Sequence, residues 1–418
     1  MAQLSDDCFA FGGELMTGAE ALRLIAERTV VLPESEMVPL DAARGRILAA
    51  PVIAPMSVPP HDNSAVDGYA VCFDDLASGA STTLPVAGRA AAGHPLGRAA
   101  RRGEAIRIFT GAPMPEGLDT VFMQEDCIAE GDGVRLPPGL KRGANRRRAG
   151  EDVRSGATVL TAGTRLRPQE VGLAASLGLT KLPVYRRLRA ALLSSGDEVR
   201  EPGSALPPGA IYDANRYALR AMLAGLGLEV SDLGIVPDRR DAVGDALARA
   251  ASTHDLIVAS GGMSTGEEDH MKAAVEALGR LHFWRLAIKP GRPVALGQVG
   301  RVPFLGLPGN PVAVMVTFLV LARPLILRLA GANAGEPLSF PVASGFTYRK
   351  KRGRREYLRA RLDPAPRGGW VAQKFPRDGA GILSSMVESA GFVVLDEHVE
   401  NLNPGDAVPF LPFAEVLD

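Results

Sequence analysis

Asp255-Leu-Ile-Val-Ala-Ser-Gly-Gly-Met-Ser-Thr-Gly-Glu-Glu-Asp-His270 is the stretch from which the fold of this chain can be worked out. An apolar run of strand length breaks at Gly261-Gly262 and gives way, past Glu267, Glu268 and Asp269, to Met271-Lys-Ala-Ala-Val-Glu-Ala-Leu278, whose spacing is helical. Strand, glycine loop and helix together make a place to hold an anion. Glycine lets the backbone approach a ligand closely, and the first N–H groups of a helix have no partner within it. A helix end contributes only ~0.3–1 kcal/mol per favourable charge, so cationic side chains must assist. Lys289-Pro-Gly-Arg-Pro293 supplies two, Lys289 and Arg292. Charge-assisted hydrogen bonds from such groups are worth roughly 1.5–3 kcal/mol each.

Outward from this stretch, strand and helix patterns alternate. They run over Leu188 to Leu193, Asn215 to Leu226, Glu229 to Val236, Arg240 to Ala251, Leu256 to Ala259, Met271 to Leu278, His282 to Ile288, Val302 to Leu305 and Pro311 to Leu329. The alternation predicts a doubly wound α/β domain over residues 185–333, with parallel strands and a ligand crevice at their carboxyl ends. Ser194-Ser-Gly-Asp-Glu198, Pro237-Asp238, Ser260-Gly-Gly262 and Leu307-Pro-Gly309 all fall at such ends. Three carboxylates, Glu198, Asp238 and Asp269, each follow a strand there. That grouping suits Mg²⁺, which takes one or two carboxylates plus substrate phosphates at about 2.0–2.1 Å. Helix capping accounts for the same residue types, Asp238 being well placed as an N-cap before Arg239-Arg-Asp-Ala-Val243. Asp213, in Tyr212-Asp-Ala-Asn215, reads most simply as the start of the next helix.

At 418 residues the chain is too long for one core. Thr17-Gly-Ala-Glu20 is a capping-box pattern ahead of an amphipathic helix, a second short helix is expected after Pro39, and Leu166 to Gly178 reads as a third with proline in its first turn. These make a helical linker domain, residues 1–50 plus 149–184, in which the first and third helices are expected to pack together. Between them, from Pro51, short β-like runs at Leu84 to Gly88, Ala105 to Phe109 and Thr120 to Gln124 predict an inserted β-rich domain over residues 51–148. Asp67-Gly-Tyr-Ala70 and Phe109-Thr-Gly-Ala112 read there as polar turns, and Arg146-Arg-Arg148 as a solvated loop or a lip for an acidic ligand. After Gly331 helical periodicity stops. Tyr357 to Leu362, Trp370 to Phe375, Phe392 to Leu395 and Ala407 to Leu411 predict a C-terminal β-barrel or sandwich over residues 334–418.

Composition is that of an ordinary soluble protein, 46% hydrophobic and 22% charged. Lys+Arg 47 balances Asp+Glu 47, so net charge supplies no pull toward nucleic acid or an anionic membrane, and any anion site must be local. Cys8, Cys72 and Cys127 form no C-x-x-C pair and read as reduced thiols of a cytoplasmic protein. No basic residue precedes Arg23, unlike a signal peptide, and the apolar helix Val312 to Leu329 is interrupted by Arg323 and Pro324, unlike a membrane span. No histidine pair has metal-ligand spacing and no G-x-S-x-G serine is present, which excludes zinc- and serine-hydrolase chemistry.

In one order along the chain stand Ser64-Ala-Val-Asp-Gly-Tyr-Ala70, Phe109-Thr-Gly-Ala-Pro-Met-Pro115, Arg147-Arg-Ala-Gly-Glu-Asp152, Ser195-Gly-Asp-Glu198, Tyr212-Asp-Ala-Asn215, Ser260-Gly-Gly-Met-Ser264, Lys289-Pro-Gly-Arg-Pro293 and Leu307-Pro-Gly-Asn-Pro311. Together they closely resemble the molybdopterin molybdenumtransferase (MoeA) family, to which the C-terminal domain of gephyrin is related. The resemblance implies a four-domain homodimer whose cleft, completed by the partner subunit's β-rich domain, binds adenylylated molybdopterin and molybdate. It implies a Mg²⁺-dependent reaction in which the pyrophosphate link is hydrolysed, molybdenum enters the dithiolene and AMP leaves. Matched by motif, Asp67, Thr110 and Asp152 lie on the β-rich side, while Glu198, Asp238, Asp269 and Lys289 form the α/β side, the three carboxylates as metal ligands. Ser260, Gly261, Gly262, Ser264, Arg285, Lys289, Arg292, Pro308, Gly309 and Asn310 are implied as contacts of the pterin nucleotide, as is Arg359 from the C-terminal domain. Arg285 stands where the family often has lysine, and Ala380 where it commonly has serine. The implied partners are a second copy of the chain, an adenylyltransferase acting on molybdopterin, and proteins that receive the cofactor. The competing readings are a molybdopterin adenylyltransferase or nucleotide pyrophosphatase of the same α/β fold, and a non-catalytic, gephyrin-like scaffold.

Overall fold

A computed structural model describes residues 15–261, 270–291, 293–333, 335–366 and 368–417, with the side chains of Arg28, Phe283, Trp284, Arg285 and Pro293 left aside. At its centre is a six-stranded sheet in the spatial order Glu229–Val236, Arg189–Ser195, Leu256–Ser260, Val302–Leu307, Pro293–Val299, Gly279–Arg285. The first four strands are parallel. Every residue of Leu256–Ser260 is buried, which is why that run is apolar without alternation. One face packs Leu192, Val258 and Leu305 against Leu219, Leu223, Val314 and Phe318. The other packs Leu193, Ile257 and Phe304 against Val243, Leu247, Met271 and Val275. Helices on both faces make this the doubly wound domain expected. From Arg189–Ser195 the chain crosses to Glu229–Val236 on one side, then to Leu256–Ser260 on the other. Strand order therefore reverses between Arg189–Ser195 and Leu256–Ser260, and a crevice opens at their carboxyl ends.

Three features of this domain differ from the sequence expectation. Pro293–Val299 is an additional strand, antiparallel to both Val302–Leu307 and Gly279–Arg285, so the sheet is mixed. A βαβ pattern requires a crossover helix between strands and has no place for a hairpin closed by the short turn at Gly300-Arg301. The strand expected at His282 to Ile288 ends at Arg285, and Ile288–Lys289 pairs instead with the C-terminal domain. Finally, Pro324 does not interrupt the last helix. Pro311–Leu329 runs continuously, with a π turn at Phe318–Ala322 accommodating the ring and the missing N–H. This helix is long and apolar enough to cross a bilayer, but 67% of it is buried in the protein core.

The linker region also corrects two expectations. The capping box of Gly18–Arg28 is present, with Thr17 N donating to Glu20 Oε2 at 2.8 Å and Glu20 N to Thr17 Oγ1 at 3.2 Å. However, Ala21 and Ile25 pack with Ile326 and Leu329 in the α/β core, because that strongly apolar last helix needs a cover. The helix Pro168–Ser176 packs separately, Ala174 joining Val38, Leu48 and Leu182. In place of a second helix after Pro39 there is one 3₁₀ turn, Leu40–Ala42, since Ser35–Pro39 is held as a strand against Lys181–Tyr185.

Asp255 fastens the sheet to its entry. Arg186 donates to it from both terminal nitrogens, at 2.6 and 2.9 Å, and Arg189 N donates at 2.9 Å. Burial works to raise the Asp255 pKa, but these bonds outweigh it and hold the carboxyl well below the usual range. Asp255→Asn is expected to lower stability at neutral pH by ~2–3 kcal/mol, the worth of hydrogen bonds to a charged group. Because the folded pKa is depressed, this contribution is complete above the unfolded value of about 3.9 and lost as pH falls toward the folded one. Urea titrations at pH 7 and at pH 3 should show the gap between the two proteins narrowing at acid pH.

The β-rich region forms a six-stranded sheet ordered Thr120–Met123, Gly68–Val71, Ala105–Ile108, Thr82–Ala90, Gly133–Leu136, Ile128–Glu130. Arg146–Arg147 is a short strand against Asn63–Ser64, not a free loop. In the C-terminal region Arg355–Pro364, Trp370–Lys374, Phe340–Ser344, Ala407–Pro412 and Gly391–Leu395 pair in turn, and the last returns to the first, closing a five-stranded barrel around Val342, Leu358, Val393 and Phe410.

Candidate functional site

The crevice at the strand reversal is lined by Ser194, Ser195, Glu198, Asn215, Ser260, Gly261 and Gly309, among others. Its floor is polar. Asn215 Nδ2 donates to Ser260 Oγ at 3.0 Å and to the Gly309 carbonyl at 2.7 Å, joining the ends of two neighbouring strands to the helix Ala214–Gly225. Ser194 Oγ is buried and has no hydrogen-bond partner among the described residues, so its hydroxyl is available to donate a hydrogen bond to a ligand without displacing a described protein bond. Asp213 caps the helix as expected, accepting from Arg216 N at 3.0 Å. Gly261 has φ of +82°, and a Cβ there would lie 2.5 Å from the Ser195 carbonyl oxygen. Only glycine brings the backbone across that strand end. Gly261→Ala is therefore expected to cost roughly 1–3 kcal/mol, read as a lowered Tm, through strain at the crevice itself.

Glu198 and Asp238 follow the carboxyl ends of two adjacent parallel strands. Asp238 is not an N-cap: Arg239 holds that position, without a side-chain bond, and Asp238 Oδ1 instead accepts from Ser195 Oγ at 3.2 Å. Glu198 is exposed, folds back over Gly196, and its carboxylate has no hydrogen-bond or ion-pair partner among the described residues. Among those residues no three His, Cys, Asp or Glu side chains cluster as a metal site. Two hard oxygen donors nevertheless fit Mg²⁺ chemistry, because such an ion normally completes its shell with water and phosphate. Asp269, Gly262, Ser264 and Arg292 lie outside the described residues, as does the side chain of Arg285.

In the β-rich domain the structure brings Asp67 and Thr110 together. Thr110 N and Oγ1 both donate to Asp67 Oδ1 at 2.8 Å, leaving Oδ2 open. The Thr110 N–H, then its hydroxyl, lower the Asp67 pKa below the usual carboxylate value, with Arg107 assisting. Gly68 is required beside it, since a Cβ would collide with the Phe122 carbonyl at 1.7 Å. The apolar clusters around this pair are separate from those beneath the crevice. Asp152 is exposed, its N–H bonded to Val58 O at 3.1 Å.

Two cations expected at the ligand are held by the barrel. Lys289 Nζ donates to Tyr348 Oη at 3.0 Å and to the buried Glu356 carboxylate at 3.2 Å. Burial works to lower its pKa, but Tyr348 and Glu356 outweigh that and raise it. The Lys289 side chain remains 43% exposed, so it can still reach an anion at the junction. Gly291, with φ +102°, lets this turn press on the last helix, where a Cβ would meet Thr317 Oγ1 at 2.3 Å. Arg359 is buried, donating to Ser385 Oγ at 3.0 Å and to the Arg377 and Gly379 carbonyls, both at 3.3 Å. It shapes the loop whose Ala380 carbonyl accepts from Val312 N at 2.9 Å, at the start of the helix that follows Pro308, Gly309 and Asn310. Gly309 and Asn310 are exposed there, and Asn310 makes no capping bond. The roles of Tyr348 and Glu356 had no spacing signal, because both act across a domain junction, and Ser385 meets Arg359 from a separate segment of the same domain. Arg216, three residues after Asp213, did carry one.

Three family models match the chain: MoeA N-terminal region (domain I and II) over residues 16–178, a probable molybdopterin binding domain over 191–328, and MoeA C-terminal region (domain IV) over 342–413. The chain is 39% identical over 408 residues to molybdopterin molybdenumtransferase of Haemophilus influenzae, covering 96% of the chain and 100% of that protein. It is 38% identical over 319 residues to molybdopterin molybdenumtransferase of Nostoc sp., covering 74% and 73%. The crystal structure of a molybdopterin biosynthesis moeA protein from Pyrococcus horikoshii superposes with a TM-score of 0.81 at 27% identity, covering 96% of this chain and 100% of that one.

Proposed function

Because the chain belongs to the MoeA family of molybdopterin molybdenumtransferases, transferases of molybdenum cofactor biosynthesis, we propose that it inserts molybdate into adenylylated molybdopterin with Mg²⁺-dependent release of AMP, as a cytoplasmic homodimer. The observation that carries this reading is the crevice itself: two carboxylates at adjacent strand ends beside a floor whose Ser194 hydroxyl has no partner among the described residues.

In this reading Ser194, Ser260, Asn215 and the Gly261 and Gly309 backbone hold the pterin nucleotide, and the Pro308-Gly309-Asn310 turn borders it. Glu198 and Asp238 would hold Mg²⁺, the second oriented by the Ser195 hydroxyl. Bound Mg²⁺ would supply charge neutralisation at the phosphates. Positioned charge matters more than covalent participation in phosphate hydrolysis, and Lys289 adds it from the barrel junction. Arg359 acts through the loop it fastens. Asp67 and Thr110, with Asp152 at the junction, form a wall that reaches the crevice of the other subunit. Asp269, Gly262, Ser264, Arg285 and Arg292 keep the roles their motifs imply. An adenylyltransferase would supply the substrate and molybdoenzymes would receive the product. AMP release by the purified protein, measured with and without Mg²⁺ and molybdate, tests this directly. Release that needs both supports it, and release indifferent to molybdate contradicts it.

A further inference from the structure

The buried Arg216 guanidinium joins the two elements that carry Glu198 and Asp238. Arg216 is 3% exposed. Its Nε donates to Asp213 Oδ2 at 3.0 Å, one terminal nitrogen donates to both oxygens of Asp232, and the other donates to Glu201. Asp232 lies on the strand Glu229–Val236, six residues before Asp238, and Glu201 lies three residues after Glu198. Tyr217 Oη also donates to Glu201, so the second carboxylate oxygen of that loop residue is occupied too. Short pairings complete the frame: Ile211 N donates to Glu198 O at 2.9 Å, and Asp213 N to Arg200 O at 2.9 Å. Asp232 further accepts from Gly234 N at 3.0 Å, fixing the strand where it bends toward Asp238.

We propose that Arg216 is a positioning residue that sets the separation of Glu198 from Asp238, and thereby the affinity of the crevice for a divalent cation. A planar guanidinium can bond three carboxylates in fixed directions at once, which an ammonium cannot. Desolvating so many charges is costly unless each is paired, and here every one of the four is. The inference rests on the metal role given to Glu198 and Asp238 above.

The test is Mn²⁺ binding to the purified full-length protein with AMP present, followed by the loss of the free-ion EPR signal and by displacement with Mg²⁺. Alteration of groups that orient metal ligands typically weakens binding ~10–100-fold, and Arg216→Lys is expected to fall in that range. Glu201→Gln, at a half-exposed site where folding is not at stake, is expected to weaken binding by about threefold to tenfold while leaving Tm within a degree or two of wild type. Should Arg216→Lys fail to fold, Glu201→Gln alone decides. A Glu198→Gln control separates the two levels of the argument. If wild type and that control bind Mn²⁺ equally, the metal reading of the crevice is wrong. If the control loses binding but Arg216→Lys and Glu201→Gln bind as wild type does, only the role of Arg216 is wrong.

Discussion

Glu198→Gln combined with Asp238→Asn is expected to lower molybdate-dependent AMP release by at least ~10²-fold while the protein keeps its fold, since preorganised charge at a phosphate site is commonly worth that much. Both substitutions keep volume and one oxygen but remove the negative charge. Glu198 is exposed with no partner among the described residues, so its replacement strains nothing. Asp238 accepts one hydroxyl bond from Ser195, which asparagine can still accept. Loss of activity with an unchanged Tm therefore isolates charge from structure. If excess Mg²⁺ restores part of the rate to each single variant, the carboxylates act through the cation. Full activity in the double variant would remove both from the mechanism.

The sequence made the crevice legible because its determinants are local. A buried strand that ends in Ser260-Gly261 must deliver its glycine where the backbone crosses Ser195, and Asp213-Ala-Asn215 must start a helix whose cap is Asp213. The C-terminal β domain was legible as short β-like runs that left barrel and sandwich open, and Phe340–Ser344 was not among those runs. What could not be seen were pairings set by tertiary competition. The helix Gly18–Arg28 has a generic apolar stripe, and nothing in that stripe says whether Ala174 or Leu329 will cover it. Lys289 looked like a phosphate ligand because prolines and glycine present it, yet Tyr348 and Glu356, 59 and 67 residues downstream, engage its ammonium. Arg359 likewise is an arginine in a motif until its three bonds to the 377–385 loop are seen. Long charged side chains are where spacing is least informative, because their reach exceeds the segment that carries them.

Asp67→Ala is expected to be about as damaging as loss of the crevice carboxylates, ~10²-fold or more in turnover, although among the described residues no apolar cluster ties its domain to the crevice. The Thr110 N–H and hydroxyl both hold one oxygen of Asp67, an arrangement that fixes the other outward and keeps the group ionised below the usual carboxylate range. Since the folded pKa is lowered, the anion persists as pH falls, and an activity that needs it should decline only below about 3.9, the ordinary aspartate value. Thr110→Val removes the hydroxyl bond alone and should move that acid limb upward. Asp67→Asn keeps the acceptor and loses the charge, so a large loss in that variant would assign the effect to charge.

In the proposed homodimer, Asp67 of one subunit serves the crevice of the other. Asp67→Ala and Glu198→Gln proteins, each inactive alone, should be mixed, allowed to exchange subunits and assayed for AMP release. With two-fold symmetry and random exchange, half the molecules are mixed dimers, each with one intact site, so activity should recover to about one quarter of wild type. If both residues served a site within one chain, every site in the mixture would carry a lesion and the activity would stay at the level of the separate variants.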